Sequence, residues 1–222
     1  MTAVARSGFG GVAPLQVYEH GLTHGRAHLV DRAGRARELP IPTWTGPAGS
    51  ADLSLVGRCV GPTLDIGCGP GRITAALTGR GIAALGVDIS AYAVALTRSR
   101  GAAALCRDVF ALTAGRGRWQ HVLLADGNIG IGADPVRLLW HCRDLVTGDG
   151  SVLVDVEPPG EGLTAASVRL VSDGHTSDWF GWCWLGVDAL EPVAAAAGLA
   201  VRKVWQVEQR WQAELVRSDR WR

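Results

Sequence analysis

The chain has 222 residues, 47% of them hydrophobic, and sets 22 basic against 21 acidic side chains for a formal charge of +1. That length buries one substantial core, so a single α/β domain with an appendage is expected and two independent domains would be cramped. The charge balance excludes a global field that draws the chain to nucleic acid or an anionic membrane, and no apolar run approaches the ~18 residues of a membrane span.

The first fifteen residues lack the apolar core of a secretory signal, so a cytoplasmic protein is expected. Residues 1–12 are small and glycine-containing and read as loosely attached. From Ala13 the spacing of Leu15, Val17, Tyr18 and Leu22 predicts a short helix, weakened by Gly21 and Gly25. Residues 28–30 and 36–41 flank a polar loop as a candidate hairpin. The chain then passes Pro40, Pro42 and Pro47 to Ser50, a candidate cap for a helix over 52–59. Tyr18, His20, His24 and His28 carry the chemistry of this front section. Polar groups on a weak surface helix are ordinarily just solvated, and no acidic or cysteine ligand pairs with these histidines to make a metal site.

Thr63, Leu64 and Ile66 form a short apolar run that predicts a buried parallel strand. Gly67, Gly69 and Gly71 then force a tight turn before a helical pattern that starts near Arg72. Without side chains there, a ligand can touch the backbone, and the first turn of the helix offers unpaired amides to a carboxylate or phosphate. A dinucleotide fingerprint needs glycine at the sixth position, where this chain has Arg72, which argues against NAD. The helix ends at Gly81. The next apolar run closes on Asp88, at the roughly 20-residue distance from the first glycine at which a second-strand acid meets a ribose. Ser90 caps a helix that stops at Gly101, and a third run from Ala102 ends at Asp108 and Val109, an acceptor and a free amide suited to an adenine edge.

Residues 121–125 form a fourth apolar run, followed by Asp126-Gly-Asn-Ile-Gly-Ile-Gly132. So glycine-rich a turn at a strand end lets backbone approach a reacting centre; Asp126 and Asn128 either contact ligand there or simply form Asx turns. Asp134 and Pro135 start a helix through Val146, and Gly148 and Gly150 lead to a fifth strand over 151–157. Alternation over 167–185 predicts two inserted antiparallel strands. Trp179, Phe180, Trp182 and Trp184 there are core, interface or the wall of an acceptor pocket. A helix over 188–197 and strands over 200–207 and 211–216 complete the chain, the last two antiparallel. Cys59, Cys68, Cys106, Cys142 and Cys183 are scattered without a C-x-x-C pair, which disfavours a disulfide framework or zinc site.

Taken together, Asp65-Ile-Gly-Cys-Gly-Pro-Gly71, Asp88 and Asp108 resemble the class I S-adenosylmethionine-dependent methyltransferases. The likeness covers roughly residues 50–157, with the C-terminal segment following in outline. It implies a Rossmann-like, doubly wound α/β fold whose seven-stranded sheet is mostly parallel with the last strand antiparallel. The domain would span 50–217 with a small β insertion at about 160–186, an N-terminal lid over 1–49 and a tail over 218–222. S-adenosylmethionine is the implied cofactor and S-adenosylhomocysteine its product. By the same resemblance Asp65, Gly67, Cys68, Gly69 and Gly71 hold the methionine end, Asp88 and Ile89 the ribose, and Asp108 and Val109 the adenine. The lid's Tyr18 would touch the methionine end, and His24 or His20 is the first choice for a general base; Asp126, Gly127 and Asn128, in the turn after the fourth strand, are the candidates for the cofactor's amino group or the acceptor.

The turn after the fourth strand departs from the Asn-Pro-Pro-aromatic arrangement of relatives that modify amides and exocyclic amines, which counts against DNA adenine or protein glutamine. A small-molecule acceptor is expected, because the added segments are short and aromatic rather than long and cationic. A cofactor-binding domain without catalysis and an RNA methyltransferase are the alternatives, and a homodimer is left open.

Overall fold

The computed structural model describes residues 12–112 and 115–220. The loosely attached segment expected at 1–12 therefore lies, apart from Val12, outside the described residues, as do the last two residues of the expected tail. The first helix, α1 (Pro14–His24), has proline where no intrahelical N–H bond is needed and ends on Gly25 at φ 82°. Val17, Gly21 and Leu22 form its buried face. Strands β1 (His28–Asp31) and β2 (Ala36–Glu38) make the expected hairpin, and a short helix, α2 (Ile41–Thr45), follows. Helix α3 (Ser50–Val56) begins one residue earlier than Ser50 as a cap would allow: its cap is Gly49, whose N–H donates to Asp52 at 2.9 Å.

The parallel core runs β3 (Thr63–Ile66), α4 (Arg72–Gly79), β4 (Ala84–Asp88), α5 (Ala91–Ser99), β5 (Ala104–Cys106) and β6 (Trp119–Leu124). Ser90 caps α5 by accepting from Ala93 N at 3.0 Å. Next come α6 (Pro135–Leu145), capped by Asp134, and β7 (Val146–Val156). The inserted strands β8 (Leu163–Ser172), β9 (His175–Thr176) and β10 (Phe180–Leu185) precede α7 (Val187–Ala196), β11 (Leu199–Val207) and β12 (Arg210–Arg217).

Seven strands form one sheet in the order β11-β12-β7-β6-β3-β4-β5. The five from β7 to β5 are parallel, and β12 slots antiparallel between β7 and β11, as the sequence predicted. Alternation explains why each central strand is a continuous apolar run. Leu64, Ile66, Val122 and Leu124 meet Leu138 and Leu139 of α6 on one face, while Leu123 and Leu153 meet Leu55 of α3 and Leu77 of α4 on the other. Each such leucine contributes about 1.5–3 kcal/mol by leaving water.

A second, antiparallel sheet has the order β10-β8-β1-β2, with β9 against β8. Here the structure corrects the sequence reading. The N-terminal hairpin and the insertion are not separate appendages, because β1 pairs with β8 through Leu29 and Leu170. The insertion's first strand also starts at Leu163 rather than Ser167. Leu29, Val168 and Leu170 pack on Val17 of α1, so this sheet and the helix form one roof.

Candidate functional site

Parallel strands place their carboxyl tips along one edge, and that edge is where open α/β sheets bind ligands. Gly67 and Gly69 turn at φ 69° and 53°, in the left-handed region. A Cβ on Gly67 would lie 2.6 Å from the Asn128 amide, which covers the turn by donating from Nδ2 to Ile66 O and Gly67 O at 2.9 Å each. Gly71 leaves room for Thr97 of α5, whose hydroxyl donates to Gly69 O at 2.8 Å.

The second strand tip meets the first directly. Gly69 N donates to Asp88 Oδ2 at 2.9 Å and Ser90 N to Asp88 Oδ1 at 2.8 Å. Burial pushes this carboxyl above its ordinary value against the N–H groups of Ser90, Gly69 and Ile89. Three donors do not saturate a carboxylate, which has about four lone-pair sites, so Asp88 can still accept from a ligand. Arg107 N bonds Asp88 O at 2.9 Å, which carries the third tip to the same edge; Asp108 there is exposed and accepts Phe110 N at 2.9 Å. Val109 is buried behind it, whereas Ile89 stands 58% exposed beside Asp88. Gly69, Asp88 and Asp108 thus stand at the tips of three adjacent strands on one edge of the sheet.

From the roof, α1 brings Tyr18 over the turn: a Cβ on Gly69 would be 3.3 Å from the phenol oxygen. Burial, reinforced by the charge of Asp88, raises the Tyr18 pKa well above its ordinary value, so the phenol is a neutral donor at any working pH.

Beneath the fourth tip lies a buried ionic network that the sequence reading missed. Arg72 is 4% exposed and clamps two carboxylates, Asp52 at 2.8 and 2.7 Å and Asp126 at 2.8 and 2.9 Å. Arg210, at the start of β12, bonds Asp52 at 2.6 Å, reaches Asp126 at 3.3 Å and contacts Asp155. Three aspartates against two arginines leave an excess negative charge. Burial with it pushes Asp126 up to about 6 in spite of both arginines. Asp126 itself sits at φ 55°, a conformation non-glycine residues rarely adopt, and its N–H is held by Asp155 Oδ2 at 2.7 Å. Its carboxylate therefore braces the turn; Gly127, at φ 77°, and Asn128 follow it into the crevice.

Other sequence-predicted residues go elsewhere. Asp65 points into the core, takes the Thr74 hydroxyl at 2.6 Å and is pushed up to about 6 by burial. Cys68 turns its sulfur from the crevice toward Thr97 and over Gly86, where a Cβ would sit 2.7 Å away, so only its backbone lines the turn. His20 and His24 are not brought to the glycine turn. They stack at 3.9 Å, and His20 also meets His175 at 4.2 Å and Ser172 Oγ at 2.9 Å, in the β8–β9 hairpin. At ~100° per residue they lie around the helix from Tyr18. Among the described residues no cluster of three or more His, Cys, Asp or Glu is arranged for a metal, and no helix is long and apolar enough to cross a membrane.

Residues 63–150 match the model of a family described as a methyltransferase domain. No curated protein sequence matches the chain. Among solved structures, a SAM-dependent methyltransferase from Bacteroides fragilis in complex with S-adenosyl-L-homocysteine superposes with a TM-score of 0.75 at 19% identity, over 92% of this chain and 94% of that one. The sugar N-methyltransferase KedS8 from a Streptoalloteichus species gives 0.60 at 17% identity, over 98% of each chain. The CcbJ methyltransferase from Streptomyces caelestis gives 0.60 at 16% identity, over 79% and 92%. At these identities the structural likeness speaks for the fold.

Proposed function

From the premise that the chain carries a methyltransferase domain over residues 63–150, we propose that it is an S-adenosylmethionine-dependent methyltransferase acting on a small-molecule acceptor. The observation that carries this reading is the bond from Gly69 N to Asp88, which sets a glycine turn and a hydroxyl-accepting carboxylate at one point. The residues fit the cofactor: a turn whose Cβ positions are already taken, a buried carboxylate with lone pairs to spare, and an exposed Ile89 beside an outward Asp108. On this reading Asp88 takes the ribose hydroxyls, Asp108 and Val109 the adenine edge, and the 67–71 turn with Tyr18 the methionine end. Residues 1–49 serve as lid to a domain over 50–217, with the insertion at about 160–186 completing the roof and 218–222 as tail.

When bound, the cofactor supplies an activated sulfonium methyl. An acceptor whose lone pair took that methyl would leave the carbon–sulfur pair on sulfur, and any proton on the acceptor would pass to solvent. The protein's work is then alignment and exclusion of water. Asn128 fixes the two strand tips against one another, Arg72 and Arg210 hold the turn at Asp126, and the Tyr18 phenol closes the crevice from above. A base is not demanded by this chemistry, and the histidine pair stacks on the β8–β9 hairpin instead.

The test is calorimetry with S-adenosylmethionine and S-adenosylhomocysteine, followed by methyl uptake from labelled cofactor into a metabolite extract. Stoichiometric binding with transfer supports the reading. Binding without transfer to any acceptor favours a non-catalytic domain, and no binding overturns both.

A further inference from the structure

The roof carries one polar constellation that cofactor seating does not use. Arg37 of β2 pairs through Nη1 with Glu157 Oε1 at 2.7 Å, and its guanidinium carbon lies 5.0 Å from the ring centre of Trp184 on β10. Three remote segments meet here, and backbone bonds pin the meeting point: Glu157 N donates to Leu185 O at 2.8 Å and Val187 N to Glu157 O at 3.1 Å. Strand register puts the groups on one face. Arg37 opposes Leu29, Leu29 opposes Leu170, and Phe180, Trp182 and Trp184 oppose Val168, Ala166 and Thr164, alternate residues of the same strand. This is the face that packs on α1, and its Trp182 lies against Gly130, in the segment that follows β6. Glu157 follows directly on β7, next in the sheet to β6, whose tip is the 126–128 turn.

We propose that this constellation is the acceptor subsite and that the acceptor is a polyhydroxylated, sugar-like ring carrying the amine or hydroxyl to be methylated. The proposal rests on the methyl-transfer reading above and names the substrate class for the same crevice. Arg37 and Glu157 cancel in charge, so the site has no net pull for an anion or a cation. A bare arginine would suit the former and a bare carboxylate the latter. What the pair keeps is spare planar donors on Arg37 beside a spare acceptor oxygen on Glu157, the complement of neighbouring hydroxyls that each donate and accept. The side chains are 49% and 26% exposed, so these valences face open space rather than core. The indole, partly covered by the Arg37 guanidinium, adds apolar surface beside them for the C–H face of a saturated ring. A flat aromatic acceptor would use the tryptophans but leave the polar pair without a role, and a site built to bond hydroxyls discriminates strongly against analogues that lack them.

The experiment offers the full chain labelled S-adenosylmethionine with methyl glycosides of 3-amino- and 4-amino-hexoses, and in parallel catechol and tyramine. Ligand-observed NMR in the presence of S-adenosylhomocysteine reads binding where the amine position is wrong for transfer. Glycosides are expected to bind and be methylated in preference to the aromatics. Arg37→Met, Glu157→Gln and Trp184→Leu should each raise the glycoside KM or Kd about tenfold or more while leaving S-adenosylhomocysteine affinity within twofold. Arg37→Lys, which keeps charge but loses the fork, should recover only part. Preference for catechol or tyramine, or variants with unchanged glycoside affinity, would overturn the proposal and leave the cofactor reading standing. Failure of the wild-type chain to bind S-adenosylhomocysteine would overturn both.

Discussion

The floor layer beneath the strand tips and the roof above them both hold charged side chains, but water decides how much each charge is worth. In the floor Arg72 is 4% exposed and its partner Asp52 1%, and four further hydrogen-bonding groups close around them. In the roof Arg37 is 49% exposed and leans on a ring and on one carboxylate that is 26% exposed. A buried pair that loses a partner strands an uncompensated charge, whereas an exposed one falls back on solvent. On the proposed function the floor would set the geometry of the cofactor seat, and the roof would be where acceptor preference can change without disturbing that seat.

The sharpest way to break this contrast is Arg72→Ala. It leaves Asp52 and Asp126 buried beside Asp155 with Arg210 alone to answer three carboxylates, and should cost about 3–5 kcal/mol of stability in urea unfolding. A loss under about 1 kcal/mol would mean that the network is not what fixes the floor.

Asp65 gives the floor a pH signature. Burial lifts its folded pKa from 3.8 to about 6, so over that window the folded chain holds a proton that the unfolded chain has released. Its contribution is fully present below the unfolded value and is lost as pH rises through about 6, a loss of about 2–3 kcal/mol for this group. Asp65→Asn should accordingly gain stability relative to wild type from pH 4 to 6.5 in parallel denaturation curves; a constant difference would contradict the assignment. Asp88→Ala acts on binding instead. It removes the acceptor of Gly69 N–H together with the proposed ribose contact, and S-adenosylhomocysteine affinity should fall tenfold or more by calorimetry, since a bond to a buried charge contributes about 1.5–3 kcal/mol.

The same contrast governs what could be read from sequence. The three strand tips were legible because turn glycines and strand-end acids are local signals at fixed spacings. Arg72 was not, because its partner Asp52 lies in a preceding helix and the Arg210 that shares that carboxylate lies in the last strand. Strand β7 starts at Val146, five residues ahead of the reading, because Gly150 is not a turn. Its missing side chain admits Gln120 O, which a Cβ would approach to 2.6 Å. The hairpin and the insertion read as separate pieces since pairing between Leu29 and Leu170 leaves no trace in either segment alone. The histidines stand apart from Tyr18 for a geometric reason: residues two and six positions after it lie on the far side of its helix, where Ser172 and His175 receive His20 and His24 stacks on His20.

The smallest expected effect separates stability from specificity in the roof. Arg37→Met keeps an aliphatic stem over Trp184 and deletes the exposed ion pair with Glu157 and the guanidinium contact with the ring, so unfolding free energy should change by no more than about 1–2 kcal/mol. Repeating the measurement at 0.05 and 1 M NaCl should shrink even that difference, because salt screens a pair that water reaches, while the Arg72→Ala deficit should persist. If Arg37→Met instead destabilised the chain as much as Arg72→Ala, the roof would be part of the same rigid unit as the floor. The acceptor subsite could then not be altered without disturbing the cofactor seat.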